Sequence, residues 1–141
     1  MTAPAPALTL EELRIFLARE FPQVAPDVAI EAIGPMTATM RLRRHEKHLR
    51  PGGTISGPSM ALLADVTAYI ALLGMIGEQA LAVTTNLSLN FMRKPANVDL
   101  LCDGRLLKLG KRLAVGDAVL YSEGGDPTEP VAHATFTYAL P

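Results

Sequence analysis

From Ser56 to Ile76 the chain carries a single charged side chain, Asp65, which is also the only charge between Arg50 and Glu78. The rest of that run reads as one long helix. Ser56 or Gly57 suits the N-cap, and Pro58 suits the first turn, where a missing N–H costs little. Gly74 and Gly77 mark the far end. The helix is apolar on every side, so it is expected to be buried on every side. That demand governs the rest of the chain, which must wrap around it. A membrane span is the competing reading of such a run, since roughly 20 apolar residues suffice. The mid-helix acid opposes insertion by roughly 2.5–3.5 kcal/mol. The flanking sequence also reads as amphipathic strands that need something to pack on, and the span is rejected.

Asp65 itself is costly. An ionised carboxylate in such surroundings carries a desolvation penalty of several kcal/mol unless it is compensated. Its neighbours three and four positions away are Ala61, Leu62, Ala68 and Tyr69. Two alanines on its face leave room for a bound molecule or a partner surface. Two readings stay open here: a structural acid satisfied by backbone N–H groups or a hydroxyl, and a functional one.

Before this helix the chain opens with a capping box, Thr9 as N-cap and Glu12 reaching back, and a short helix to about Phe21 with Leu10, Leu13, Phe16 and Leu17 as its buried stripe. Pro22 ends it. Strand patterns follow at 28–33 and 36–43, joined by a tight Gly34-Pro35 turn, with Met36, Ala38, Met40 and Leu42 on one face. Residues 44–55 form a basic, glycine-bearing loop. After the central helix come strand patterns at 80–92, 98–109, 112–122 and 131–140, with a hairpin turn at Gly110-Lys111. In the first of these Thr84, Asn86, Ser88 and Asn90 alternate with Val83, Thr85, Leu87, Leu89 and Phe91. Strands segregated from one helix indicate α+β with an antiparallel sheet, not alternating βαβ units.

The 141 residues make one domain, 9–141, behind a flexible leader at 1–8. With 49% apolar residues, disorder is excluded for most of the chain. A net charge of −1 gives no electrostatic case for nucleic acid. One cysteine, Cys102 among leucines, excludes a disulfide framework and reads as a packed strand thiol in a reducing compartment. The start has neither a basic region nor an apolar core of a secretory signal, so a cytoplasmic protein is expected. No His/Cys/Asp set has metal-ligand spacing, and His133 reads as structural.

The segments His48–Pro58, Leu63-Ala64-Asp65, Val83–Phe91 and Leu109–Leu113 resemble the PaaI-like branch of the hotdog acyl-CoA thioesterases, in the 4-hydroxybenzoyl-CoA thioesterase superfamily. The likeness runs from about Met36 to the C-terminus. It implies a hotdog fold, an antiparallel sheet of five to six strands wrapped around one long apolar helix, preceded here by a short N-terminal helix. It also implies acyl-CoA hydrolysis with Asp65 activating or delivering the nucleophile, the Gly57 N–H as oxyanion donor and Thr84 helping to hold the water. The family's usual His-Gly-Gly at the helix start is Ser56-Gly57-Pro58 here, and the asparagine expected six residues earlier is Arg50. Ser56, Pro58, Arg50 and His48 are the expected substrate contacts at that end, and Lys111 and Arg112 the expected holders of the CoA phosphates. No cofactor is implied beyond the CoA of the substrate.

Asp65 could act as general base on water or attack directly to give a mixed anhydride. On one helix Gly57 and Asp65 stand about 12 Å apart at 1.5 Å per residue, whereas a reacting carbon lies roughly 3–3.5 Å from its attacker. A homodimer with two shared sites is therefore expected, arranged further as a dimer of dimers. Competing readings are a hotdog enoyl-thioester hydratase or dehydratase and a non-catalytic acyl-CoA binder.

Overall fold

A computed structural model describes residues 4–141. The first three residues of the expected leader lie outside the described residues. Further along it, Ala7 and Leu8 donate their N–H groups to the Gly74 carbonyl, at 2.6 and 3.2 Å.

Helix α1 (Leu10–Glu20) starts at the Thr9–Glu12 capping box, with both reciprocal hydrogen bonds formed. Its Leu13, Phe16 and Leu17 are buried, while Leu10 is half-buried. Strands β1 (Val28–Gly34) and β2 (Thr37–Leu42) form a hairpin. The turn is Pro35-Met36 rather than Gly34-Pro35, and Met36 takes a positive φ of 61°. The loop at 44–55 holds a small ladder of β3 (Leu49–Arg50) and β4 (Thr54–Ile55). Helix α2 (Gly57–Ile76) follows, N-capped by the Ser56 hydroxyl and ended by Gly77 at φ 90°. Strands β5 (Val83–Phe91), β6 (Leu100–Leu109), β7 (Leu113–Ser122) and β8 (Ala132–Ala139) complete the chain.

Six strands form one antiparallel sheet in the order β1-β2-β6-β7-β8-β5, curled around α2. This is a hotdog fold. Period-two burial explains the wrapping: Ala38, Met40 and Leu42 of β2, Cys102 and Leu106 of β6, Ala118 and Leu120 of β7, and Phe136 of β8 all face the helix. Two glycines, Gly104 against Thr67 and Gly116 against Phe136, let the sheet and its contents approach closely. A Cβ at Gly116 would stand 2.2 Å from the Arg105 carbonyl oxygen and 2.5 Å from Phe136 Cζ. Cys102 is buried, and that burial pushes its thiol up to about 12.

Two expectations are corrected. Helix α2 is not covered on every side: Pro58 is exposed, and Ala61, Leu62 and Asp65 are only half-buried. These residues follow the i, i+3, i+4, i+7 spacing of one face, so a single stripe of the central helix lacks a covering within the chain. Strand β5 also departs from simple alternation. A register shift between Thr84 and Asn86 in its ladder with β8 leaves Thr85 without an opposite residue, so Thr84 shares the inner face with Leu87 and Leu89 instead of with Asn86.

Candidate active site

Asp65 lies midway along α2, on the uncovered stripe. Its Oδ1 accepts a hydrogen bond from the Thr84 hydroxyl at 2.6 Å and lies 2.6 Å from the Tyr138 hydroxyl, which is also 3.0 Å from the Asp65 carbonyl oxygen. The sheet positions both hydroxyls. Thr84 and Tyr138 sit opposite each other in the β5–β8 ladder, and the β5 bulge turns Thr84 inward to meet the helix. Burial and the adjacent carboxylate push the Tyr138 phenol well above its usual range, which favours its protonated, donating form. Among the described residues, nothing donates to Asp65 Oδ2. One carboxylate oxygen is fixed and the other is available.

Two cavities meet at this carboxylate. The larger, about 410 Å³, extends from Thr84 and Tyr138 past Val66 and Tyr69 to Phe21 and the Glu20–Gln23 turn. The Tyr69 hydroxyl donates to the Ala80 carbonyl at 2.9 Å at its far wall. The smaller, about 290 Å³, follows the open stripe of α2 back to Pro58, with Leu87 opposite. Both volumes lie in or near the range of small-molecule sites, roughly 300–1,000 Å³.

A second cluster forms at the start of α2. His48 is 5% exposed, and its Nδ1 lies 2.8 Å from the Ser59 hydroxyl. Ser59 in turn stands 3.1 Å from the Ser56 hydroxyl, which also accepts the Ser59 N–H at 3.3 Å. Among the described residues His48 Nε2 has no hydrogen-bond partner; the nearest acid, Asp27, lies at 3.8 Å and is itself paired with Lys47 at 2.5 Å. Burial lowers the His48 pKa, against a partial opposing pull from Asp27. His48 is therefore an internal, neutral residue behind the helix start and not a wall of either cavity beside Asp65.

The structure thus joins Asp65 to Thr84, and Ser56 to His48, as two separate groups. Gly57 lies beside the second group, in the first turn of the same unbroken helix that carries Asp65, while Pro58 lines the far end of the smaller cavity. Arg50 is exposed on the β3–β4 ladder. Lys111 and Arg112 are exposed between β6 and β7. Register places them near the acid: Ala114, Tyr138 and Thr84 form one row across β7, β8 and β5, two residues from Arg112. His133 lies on the outer face of the sheet, 3.0 Å from Asp117. Among the described residues no three His, Cys, Asp or Glu side chains gather as metal ligands would.

Sequence reasoning missed Tyr138, Ser59 and Phe21. Tyr138 had a signal, as the last inward position of the Ala132, Ala134, Phe136 series. Ser59 and Phe21 had none beyond their place beside a cap and a helix end.

The sequence profile of the Thioesterase superfamily matches residues 52–129, more than half of the chain. The chain belongs to the thioesterase superfamily. No curated protein sequence matches it. Among solved structures, this thioesterase-superfamily chain is similar to a candidate thioesterase from Silicibacter sp., with 51% identity over 96% of this chain and 94% of the other, and a TM-score of 0.89. The fold is shared by zebrafish thioesterase superfamily member 2, at 22% identity over 96% and 100% of the two chains and a TM-score of 0.81. It is shared as well by the phenylacetic acid degradation protein PaaI of Thermus thermophilus, at 21% identity over 85% and 99% and a TM-score of 0.72. Thioester hydrolysis is the chemistry of this superfamily. A carboxylate with one pinned and one free oxygen, next to two cavities, is compatible with that chemistry.

Proposed function

We propose that the protein hydrolyses acyl-CoA thioesters, with Asp65 as nucleophile or general base, in a site shared between two copies of the chain. The observation that carries this reading is the half-open Asp65 carboxylate, held through Oδ1 by the Thr84 and Tyr138 hydroxyls at the junction of two cavities. Hydrolysis needs a nucleophile, a path for its proton and a donor for the developing oxyanion. Asp65 meets the first two in one of two ways: as general base it takes the proton of an attacking water, and as nucleophile it forms a mixed anhydride with loss of the CoA thiolate, which water then hydrolyses. The third falls to the Gly57 N–H, at the positive end of a 20-residue helix.

The separation along α2 still stands: Gly57 and Asp65 of one chain cannot serve one reaction centre. A second copy, its α2 set against the first, would bring its Gly57 to Asp65. Two features support such a dimer. The stripe of Pro58, Ala61 and Leu62 is uncovered, and the edge strand β5 is bordered by exposed apolar residues, Leu81 at 82%, Val83 at 57% and Phe91 at 54%. Lys111 and Arg112, at the Asp65 end of the sheet, are the cations suited to the CoA phosphates. In this reading CoA enters as part of the substrate and the residues named here need no further cofactor.

The test is release of free thiol from a panel of short, medium, long and aromatic acyl-CoAs, with hydration of crotonyl-CoA followed alongside. Hydrolysis of at least one acyl-CoA, reduced at least about 100-fold in Asp65→Asn, is expected. Hydration without thiol release would assign the protein to the hydratases. Tight CoA-ligand binding with thiol release that ignores Asp65→Asn would make it a binder.

A further inference from the structure

We infer that His48, buried behind the start of α2, is a positioning residue that aims the Gly57 N–H at the thioester carbonyl. The inference rests on the acyl-CoA reading above and adds to it a residue that touches no substrate. It begins with the amides of the first helical turn. Met60 donates its N–H to the Ser56 carbonyl at 3.0 Å, and Ser59 donates its N–H to the Ser56 hydroxyl at 3.3 Å. Pro58 has no N–H to give. Among the described residues, the Gly57 N–H is left without an acceptor. Its direction is fixed by a planar, trans peptide bond, in which it points opposite to the Ser56 carbonyl. That carbonyl runs into the helix toward Met60, so the Gly57 N–H points out of the helix start.

His48 holds Ser56 from two sides. Its backbone carbonyl accepts the Ser56 N–H at 2.8 Å. Its ring Nδ1 lies 2.8 Å from the Ser59 hydroxyl, which stands 3.1 Å from the Ser56 hydroxyl. Each hydroxyl can both donate and accept, so this chain closes whichever ring nitrogen carries the proton. Ser56 is thereby tied at its N–H, its carbonyl and its side chain. Its ψ of 155° sets the direction of the Gly57 N–H, and the His48 network holds that angle.

Packing alone does not account for an imidazole here. The ring is 5% exposed, and Nε2 has no hydrogen-bond partner among the described residues, with Asp27 at 3.8 Å. A buried nitrogen in that state carries a desolvation cost that an aliphatic side chain would not. What the imidazole adds is the bond to Ser59. His48 lines neither cavity beside Asp65, so its effect reaches the reacting carbonyl through the helix cap. An oxyanion donor works because it is already in place when charge develops, and a shift of about 1 Å in such a group costs about 100-fold in rate.

The experiment compares wild type with His48→Leu, His48→Asn and His48→Gln, each first checked by thermal melting, using kcat and KM for an acyl-CoA that wild type hydrolyses. Asparagine carries its polar atoms at the place of Nδ1, glutamine at that of Nε2. His48→Leu and His48→Gln are expected to lose about tenfold or more in kcat with KM little changed. His48→Asn is expected to recover most of that loss. Ser59→Ala is expected to match His48→Leu, and the double variant to lose no more than either alone. Equal losses in His48→Asn and His48→Gln, or a rise in KM at constant kcat, overturn the inference; the Asn and Gln pair decides even where His48→Leu does not fold. If wild type releases thiol from no acyl-CoA, the hydrolase reading fails by itself, and the donor is read from binding. The readout is then the affinity for butyryl-CoA relative to S-butyl-CoA, a thioether without the carbonyl. A ratio lowered about fivefold in His48→Leu and restored in His48→Asn sustains the inference. An unmoved ratio, or no binding of either ligand, overturns it.

Discussion

At the scale of single residues, the site depends on hydroxyls that hold an acid in place. Tyr138 and Thr84 both reach Asp65 Oδ1 at 2.6 Å, and a hydrogen bond to a charged group contributes roughly 1.5–3 kcal/mol. Tyr138→Phe is expected to lower kcat about tenfold or more with little change in KM, since the phenol orients the carboxylate rather than binding substrate; steady-state kinetics check this. His48 gives a pH-dependent prediction of stability. Burial lowers its folded pKa below that of the unfolded chain, so the unfolded state takes up the proton first as pH falls below about 6.5. The groups facing it are Asp27, Lys47 and His45, and none removes that burial penalty. The melting temperature is expected to fall between pH 7 and pH 5 more steeply in wild type than in His48→Gln, a difference that melts across that range would expose. A neutral side chain there has nothing to titrate. None of this was legible from the loop sequence, from which His48 was expected as a substrate contact and not as a buried residue. Its burial depends on the β3–β4 ladder folding it against the first turn of α2.

At the scale of elements, local signals were strong and proved adequate. The Thr9–Glu12 box starts α1, and Thr9→Ala is expected to cost about 1 kcal/mol of stability in denaturant melts. The alternation of β2 named its inner face, with Ala38, Met40 and Leu42 all buried. Strand β5 did not follow its alternation, because a bulge is a property of a pair of strands and is not encoded by either alone. That bulge is what turns Thr84 toward Asp65. The β6–β7 pair carries a tighter constraint. Any side chain at Gly116 meets the Arg105 carbonyl and the Phe136 ring, so Gly116→Ala is expected to lose about 3 kcal/mol through overpacking, seen as a melting temperature lower by several degrees.

At the scale of the whole molecule, the question is what covers the central helix. The sheet wraps most of α2, with Leu63, Ala64, Ala68, Ile70 and Leu72 at 0% exposure, but Pro58, Ala61, Leu62 and Asp65 remain open along one stripe. Under the shared-site proposal, Gly57→Pro and Asp65→Asn chains are each inactive alone. Refolded together they are expected to recover about a quarter of wild-type activity, because random pairing leaves half of the dimers mixed and one intact site in each. Folded but inactive mixtures would refute the shared site. The amino-acid sequence alone determined that an all-apolar helix needs a wrapping sheet, that the wrap is antiparallel and that one acid sits in its middle, since burial and periodicity are local properties of side chains. Which phenol meets that acid and which face of the helix stays bare were decided only by tertiary structure. Those facts depend on strand register and on contacts between residues far apart in the chain, such as Asp65 with Tyr138, which no local pattern specifies.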